Sequence, residues 1–122
     1  MTVRDGIIVI DHGSRQPAAN QLVVQVAARV QARRPGGIVT YAHMEMAPPS
    51  LEEALRACLD RGAERILVLP YFLGPGRHTR ETIPELVAAL CEKHPGLEVQ
   101  VAGPLGEHEK LIDVLLERAG QI

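Results

Sequence analysis

A chain of 122 residues, 46% hydrophobic and 23% charged, is long enough to bury a core without disulfides or a structural metal. Its formal charge of −2 lacks the basic excess of a phosphate-binding surface, and two tyrosines, one phenylalanine and no tryptophan offer little for base stacking, so a nucleic-acid partner is not expected. No apolar run is long enough to span a bilayer, and the start, MTVRDGIIVIDHGSR, has only a short apolar stretch without a small-residue cleavage site. The expectation is one domain over residues 1–122, with no membrane partner and a cytoplasmic setting.

Ile7–Asp11 is the first of four apolar runs without strict alternation, the pattern of a parallel strand covered on both faces. A helical stripe of Leu22, Val23, Val26, Ala27 and Val30 follows, with Pro17 near its start and Pro35-Gly36-Gly37 at its stop. Ile38–Met44 is the second strand. The next helix repeats Leu51, Ala54, Leu55, Cys58 and Leu59, opens with a Ser50/Glu53 capping box, and closes at Gly62. Arg65–Phe72 is the third strand.

The third helix carries Ile83, Leu86, Val87, Leu90 and Cys91 and stops at His94-Pro95-Gly96. Thr79 or Thr82 would cap it, because Pro84 is comfortable only in a first turn. Glu98–Ala102 is the fourth strand, and Leu111, Ile112, Leu115 and Leu116 mark the last helix. Cys58 and Cys91, each on an apolar stripe, read as buried reduced thiols. The pattern predicts a three-layer α/β fold, a parallel sheet in the order 2-1-3-4 with right-handed crossovers and helices on both faces.

Ligands of open α/β sheets bind beyond the carboxyl ends of the strands. Four of the five histidines fall at that edge: His12 in Asp11-His12-Gly13-Ser14-Arg15, His43 in His43-Met44-Glu45, His78 in Gly74-Pro75-Gly76-Arg77-His78, and His108 after Gly103-Pro104. His94 ends a helix at the opposite edge, beside the helix dipole. Adjacent strands lie about 4.8 Å apart, so loops leaving strands one and three can bring His12 and His78 to one ion at roughly 2.1 Å each. Neutral imidazole suits Co2+, Fe2+ or Ni2+, and Glu45 adds a hard ligand or a proton acceptor.

Bland readings exist beside these. His12 could cap its turn, His43 lies one pleat deeper than Glu45, His108 could be solvated surface, and Met44 and Met46 read as packing residues. Arg15, Arg77 and Arg80 could each be surface charge. Three arginines around two histidines suit an acidic small molecule, since guanidinium pairs with carboxylates.

The segments IIVIDHGSR, MEMAPPSLEEAL, ILVLPYFLGPGRHTRETIPEL and VAGPLGEHEKLIDVLLER together resemble the short-form sirohydrochlorin cobaltochelatases, class II chelatases similar to sirohydrochlorin ferrochelatases. The resemblance implies that His12 and His78 bind the metal, that Glu45 is the acidic residue after strand two, and that two copies form a homodimer. It departs from the family at Asp11, where glycine is commoner, and at Thr82, where many relatives have aspartate. The Asp11 carboxylate is expected to act on the basicity of His12.

The function so implied is insertion of a divalent cation, Co2+ first and Fe2+ or Ni2+ next, into sirohydrochlorin, in cobalamin or sirohaem synthesis. His12, His78 and Glu45 would be catalytic, and Ser14, Arg15, Arg77 and Arg80 would hold the tetrapyrrole. No P-loop is present and no nucleotide is expected. A carrier of metal or tetrapyrrole without turnover is the alternative. A histidine phosphatase is a poorer match, because Asp11 would repel phosphate.

Overall fold

The computed structural model describes residues 4–74 and 77–122, with the side chains of residues 77–82 outside the description. Four strands, β1 (Asp5–Asp11), β2 (Ile38–His43), β3 (Arg65–Pro70) and β4 (Glu98–Val101), form one parallel sheet in the order β2-β1-β3-β4. This is the expected order. β1 lies between β2 and β3, pairing Ile10 with Ala42 on one side and with Pro70 on the other. Its residues Gly6 to Ile10 are all buried, which explains an apolar run without alternation.

Four helices alternate with the strands: α1 (Pro17–Arg33), α2 (Leu51–Asp60), α3 (Arg77–Lys93) and α4 (Glu109–Ala119). Side chains alternate along each strand, so the sheet builds two cores. On one face Ile8, Ile10, Ile66 and Val68 meet Leu51, Ala54, Leu55 and Cys58 of α2 and Ile83 and Leu90 of α3. Burying Leu51 and Leu55 contributes about 1.5–3 kcal/mol each. A side chain on Gly6 would meet Cβ of Cys58 at 2.9 Å, so glycine lets α2 approach the sheet this closely. On the other face Ile7, Val9 and Val39 pack against Val23 and Ala27 of α1.

Local signals fix the ends of the first two helices. Ser50 accepts from the Glu53 N–H at 3.1 Å while Glu53 accepts from the Ser50 N–H at 3.0 Å, completing the expected capping box. Gly62 takes a left-handed φ of 98° beyond Arg61, as a helix-ending glycine should. Gln31 ties α1 to β2, donating to the Arg34 and Gly37 carbonyls and accepting from the Val39 N–H.

Several expectations require correction. β3 ends at Pro70 and not at Phe72, although the Tyr71 N–H still donates to the Ile10 carbonyl at 2.7 Å. α3 begins at Arg77, before either threonine expected to cap it, so Pro84 lies inside the helix and deprives it of one backbone donor. Leu22, placed on the buried stripe of α1, is 52% exposed. Cys58 is buried, and burial pushes its thiol up; Cys91 is only half-buried, and both are free. The largest departure is α4: none of its residues is buried.

Candidate functional site

Beyond the carboxyl edge, the turns after β1 and β2 continue the ladder of the sheet. The Met44 N–H donates to the Asp11 carbonyl at 2.9 Å and the Glu45 N–H to the His12 carbonyl at 3.1 Å. His12 and Glu45, distant in sequence, are therefore joined backbone to backbone. Gly13 makes this possible. It sits at φ 89°, and a Cβ there would collide with the Glu45 carbonyl.

Beneath this turn, the Nδ1–H of His43 donates to Oδ1 of Asp11 at 2.6 Å, since a carboxylate can only accept. His43 is the one buried polar residue among the described residues, at 2% exposure, and Asp11 is its register partner across the β1–β2 ladder. The short, charge-assisted bond cross-links the ends of the strands that carry His12 and Glu45. The Asp11 carboxylate is thus engaged by His43, a partner the residue order did not suggest. His43 acts as a strut here, with its Nδ1 committed.

His12 itself is exposed and stacks on Phe72, ring centroids 4.7 Å apart and 28° from parallel. Because Phe72 follows β3, the stack brings the loops after β1 and β3 into contact, as the strand order requires. The loop from β3 leads into the first turn of α3, which contains His78 in sequence. The side chains of Arg77, His78 and Arg80 lie outside the described residues. Among the described residues no three His, Cys, Asp or Glu side chains converge.

Ser14 is held by Asn20 of α1, whose Oδ1 accepts from the Ser14 N–H at 2.9 Å and whose Nδ2 donates to its carbonyl at 2.8 Å. The Ser14 hydroxyl accepts from the Gln16 N–H at 3.0 Å. Two open clefts flank this clamp. One, of about 300 Å³, is lined by Ser14, Arg15, Tyr41, His43 and Met46; the other, of about 240 Å³, by Asp11, His12, Gly13, Leu22 and Tyr71. Arg15 and Glu45 are exposed at this rim. His108 is the N-cap of α4, its Nδ1 accepting from the Lys110 N–H at 3.1 Å. His94, at the far edge, has a buried Nε2 without a hydrogen-bond partner among the described residues.

Sequence reasoning missed Asn20, Phe72 and the Asp11–His43 pair. The pair could have been found by sliding the first two strands into parallel register, which sets Asp11 beside His43. No local signal marks Phe72 or Asn20 as supports for the rim.

The open parallel α/β sheet, with an exposed imidazole, a carboxylate and an arginine at its carboxyl edge, puts the chain in the class of α/β folds whose ligands bind at that edge. The particular family is clear: residues 6–122 match the CbiX family, and the chain belongs to it. The chloroplastic sirohydrochlorin ferrochelatase of Arabidopsis thaliana is 40% identical over 93% of this chain and 51% of its own length. The sirohydrochlorin cobaltochelatase of Methanococcoides burtonii is 33% identical over 100% of this chain and 99% of its own. The sirohydrochlorin chelatase SirB of Bacillus subtilis subspecies spizizenii, solved in complex with cobalt, superposes with a TM-score of 0.86 at 25% identity, over 98% of this chain and 51% of that one. The chain therefore spans about half of two of these relatives and nearly all of the third.

Proposed function

We propose that this protein inserts a divalent metal ion, Co2+ first and Fe2+ or Ni2+ next, into sirohydrochlorin, without a nucleotide. His12 and His78 hold the incoming ion, which is a substrate and not a resident cofactor. Two imidazoles leave the coordination sphere incomplete, so the four ring nitrogens can replace them. Each turnover releases two pyrrole protons as the ring takes up the cation, and Glu45 accepts protons at the rim. Ser14, Arg15, Arg77 and Arg80 hold the ring and its peripheral carboxylates over the metal. The working form is a homodimer in a reducing compartment such as the cytoplasm. Its product serves cobalamin synthesis, or sirohaem synthesis if the metal is iron.

The observation that supports this reading is the hydrogen bond from the Glu45 N–H to the His12 carbonyl, which joins the two turns that carry these residues. Membership of the CbiX family and the names of the relatives support the substrate. The free thiols support the compartment, and no helix among the described residues is long and apolar enough to cross a membrane. Anaerobic metallation of sirohydrochlorin, followed by absorbance, is the test. The expected result is multiple turnovers, with Co2+ the fastest ion, and a loss on the order of 10²-fold or more in His12→Ala and in His78→Ala. A product yield that stops at one equivalent per chain would make the protein a carrier.

A further inference from the structure

Two methionines follow His43, and their surroundings differ. Met44 packs against the core shared with α2 and α3, as expected of both, whereas Met46 belongs to neither core and is 59% exposed. Met46 also sits at φ 71°, the only positive φ outside glycine among the described residues. Left-handed backbone is strained for a residue with a Cβ, and glycine adopts it freely. Met46 thus carries two costs at once, a strained backbone and an apolar side chain in water. Glycine at this position would remove both. A side chain kept on such terms points to a contact outside the chain.

A second exposed side chain stands on the other side of His12. Leu73 is 66% exposed although its backbone is held: the Gly106 N–H donates to its carbonyl at 2.7 Å, and the Leu105 N–H to the Phe72 carbonyl at 3.0 Å. Met46 follows Glu45, whose N–H bonds the His12 carbonyl, and Leu73 follows Phe72, which stacks on the His12 ring. In the order β2-β1-β3 the turn of His12 lies between the other two, whose strands are two spacings, on the order of 10 Å, apart. Met46 shares its cleft with Ser14 and Arg15. Apolar side chains on either side of an imidazole, with a guanidinium beside one of them, complement a ligand that has an apolar centre and an anionic rim.

We propose that Met46 and Leu73 are substrate-contact residues: their side chains take the apolar face of the tetrapyrrole and set it over His12, leaving its carboxylates to Arg15. The thioether suits its place because it is flexible, polarisable and packs well against conjugated rings. The ring is then bound by side chains that the metal does not touch, so the affinities for ring and metal are separable. The identity of the ligand rests on the proposed chelatase function.

Equilibrium binding of metal-free sirohydrochlorin, followed by absorbance, to the full chain and to its Met46→Gly, Met46→Leu and Leu73→Ser variants tests the proposal. Met46→Gly and Leu73→Ser should each raise the Kd for the ring roughly tenfold, the scale of one partly exposed apolar side chain withdrawn from contact. Met46→Leu should bind the ring as the wild type does. Met46→Gly should melt close to the wild type, since glycine relieves the backbone. Affinity for Co2+ alone, by titration calorimetry, should be the same in all four proteins. Ring affinity that survives both Met46→Gly and Leu73→Ser would overturn the proposal. So would Co2+ affinity that falls in Met46→Gly, which would make the thioether a metal ligand, or a drop in sedimentation mass in place of lost ring affinity, which would give the side chain to a second copy. A wild type that binds no ring would overturn it together with the chelatase reading, whereas one that binds the ring without metallating it would count against the chelatase reading alone.

Discussion

The two ends of β1 each carry an aspartate, and they are treated differently. Asp5, at the amino edge, receives two hydrogen bonds from Arg65, at 2.8 and 3.0 Å, and Arg65 reaches on to Glu98 at 3.4 Å. Asp11, at the carboxyl edge, receives one bond from a buried imidazole, and the turn above it leaves His12, Arg15 and Glu45 exposed. At the amino edge charge is matched by charge across three strands, and the job is to hold the sheet. At the carboxyl edge the same residue type is spent on stiffening a rim whose other polar groups face solvent. A buried polar pair beneath exposed ones is the pattern of a site supported from below.

The comparison is broken most severely at Gly13. Gly13→Ala places a Cβ in a left-handed turn and against the Glu45 carbonyl, so the His12 and Glu45 turns must separate. Metallation is expected to fall on the order of 10²-fold, the scale of an ångström of misplacement. Thermal melting should show the fold retained. A variant with unchanged activity would mean that the joined turns are not part of the site.

Asp11→Ala comes next. It leaves the Nδ1 of a buried histidine without its acceptor, at a cost of about 1–3 kcal/mol of stability, read by denaturant unfolding. As positioning residues, Asp11 and His43 should affect kcat more than KM. Asp11→Asn, whose amide oxygen still accepts, should restore most of both stability and kcat. Equal losses in the two variants would show that charge, and not the hydrogen bond, is what matters.

Asp5→Asn is the mildest. The hydrogen bonds from Arg65 hold the Asp5 carboxyl below its ordinary value of 3.8. A carboxylate lowered on folding stabilises the protein above its unfolded pKa, and that contribution fades as pH falls through the lower folded value. The pair is partly open to solvent, so the expected loss is about 1 kcal/mol or less at neutral pH. The gap between the wild type and Asp5→Asn in denaturant unfolding should close below pH 3.8. A gap that persists into strong acid would assign the loss to something other than the ion pair.

Much of this was legible from residue order. The apolar run of β1 marks a strand buried throughout, whereas β4, read the same way, is mostly exposed; the Ser50/Glu53 box marks a helix start, and strand-end placement gathers His12, Glu45 and Arg15. Two features were not legible, for physical reasons. A helix stripe has the same spacing whether its own sheet or another molecule covers it, so α4 looked like a covered helix. The Asp11–His43 bond depends on register between two strands, which no local pattern encodes. Pro84 misled in a third way: a proline favours a helix start, but it does not forbid a helix interior.

The central claim is that imidazoles from the turns after β1 and β3 share one cation. X-ray absorption and a crystal structure of the Co2+-loaded protein address it most directly. The expected result is both His12 and His78 bound at roughly 2.1 Å, with open positions left for the tetrapyrrole. Cobalt held by only one of them, or at another set of side chains in every protomer, would contradict it.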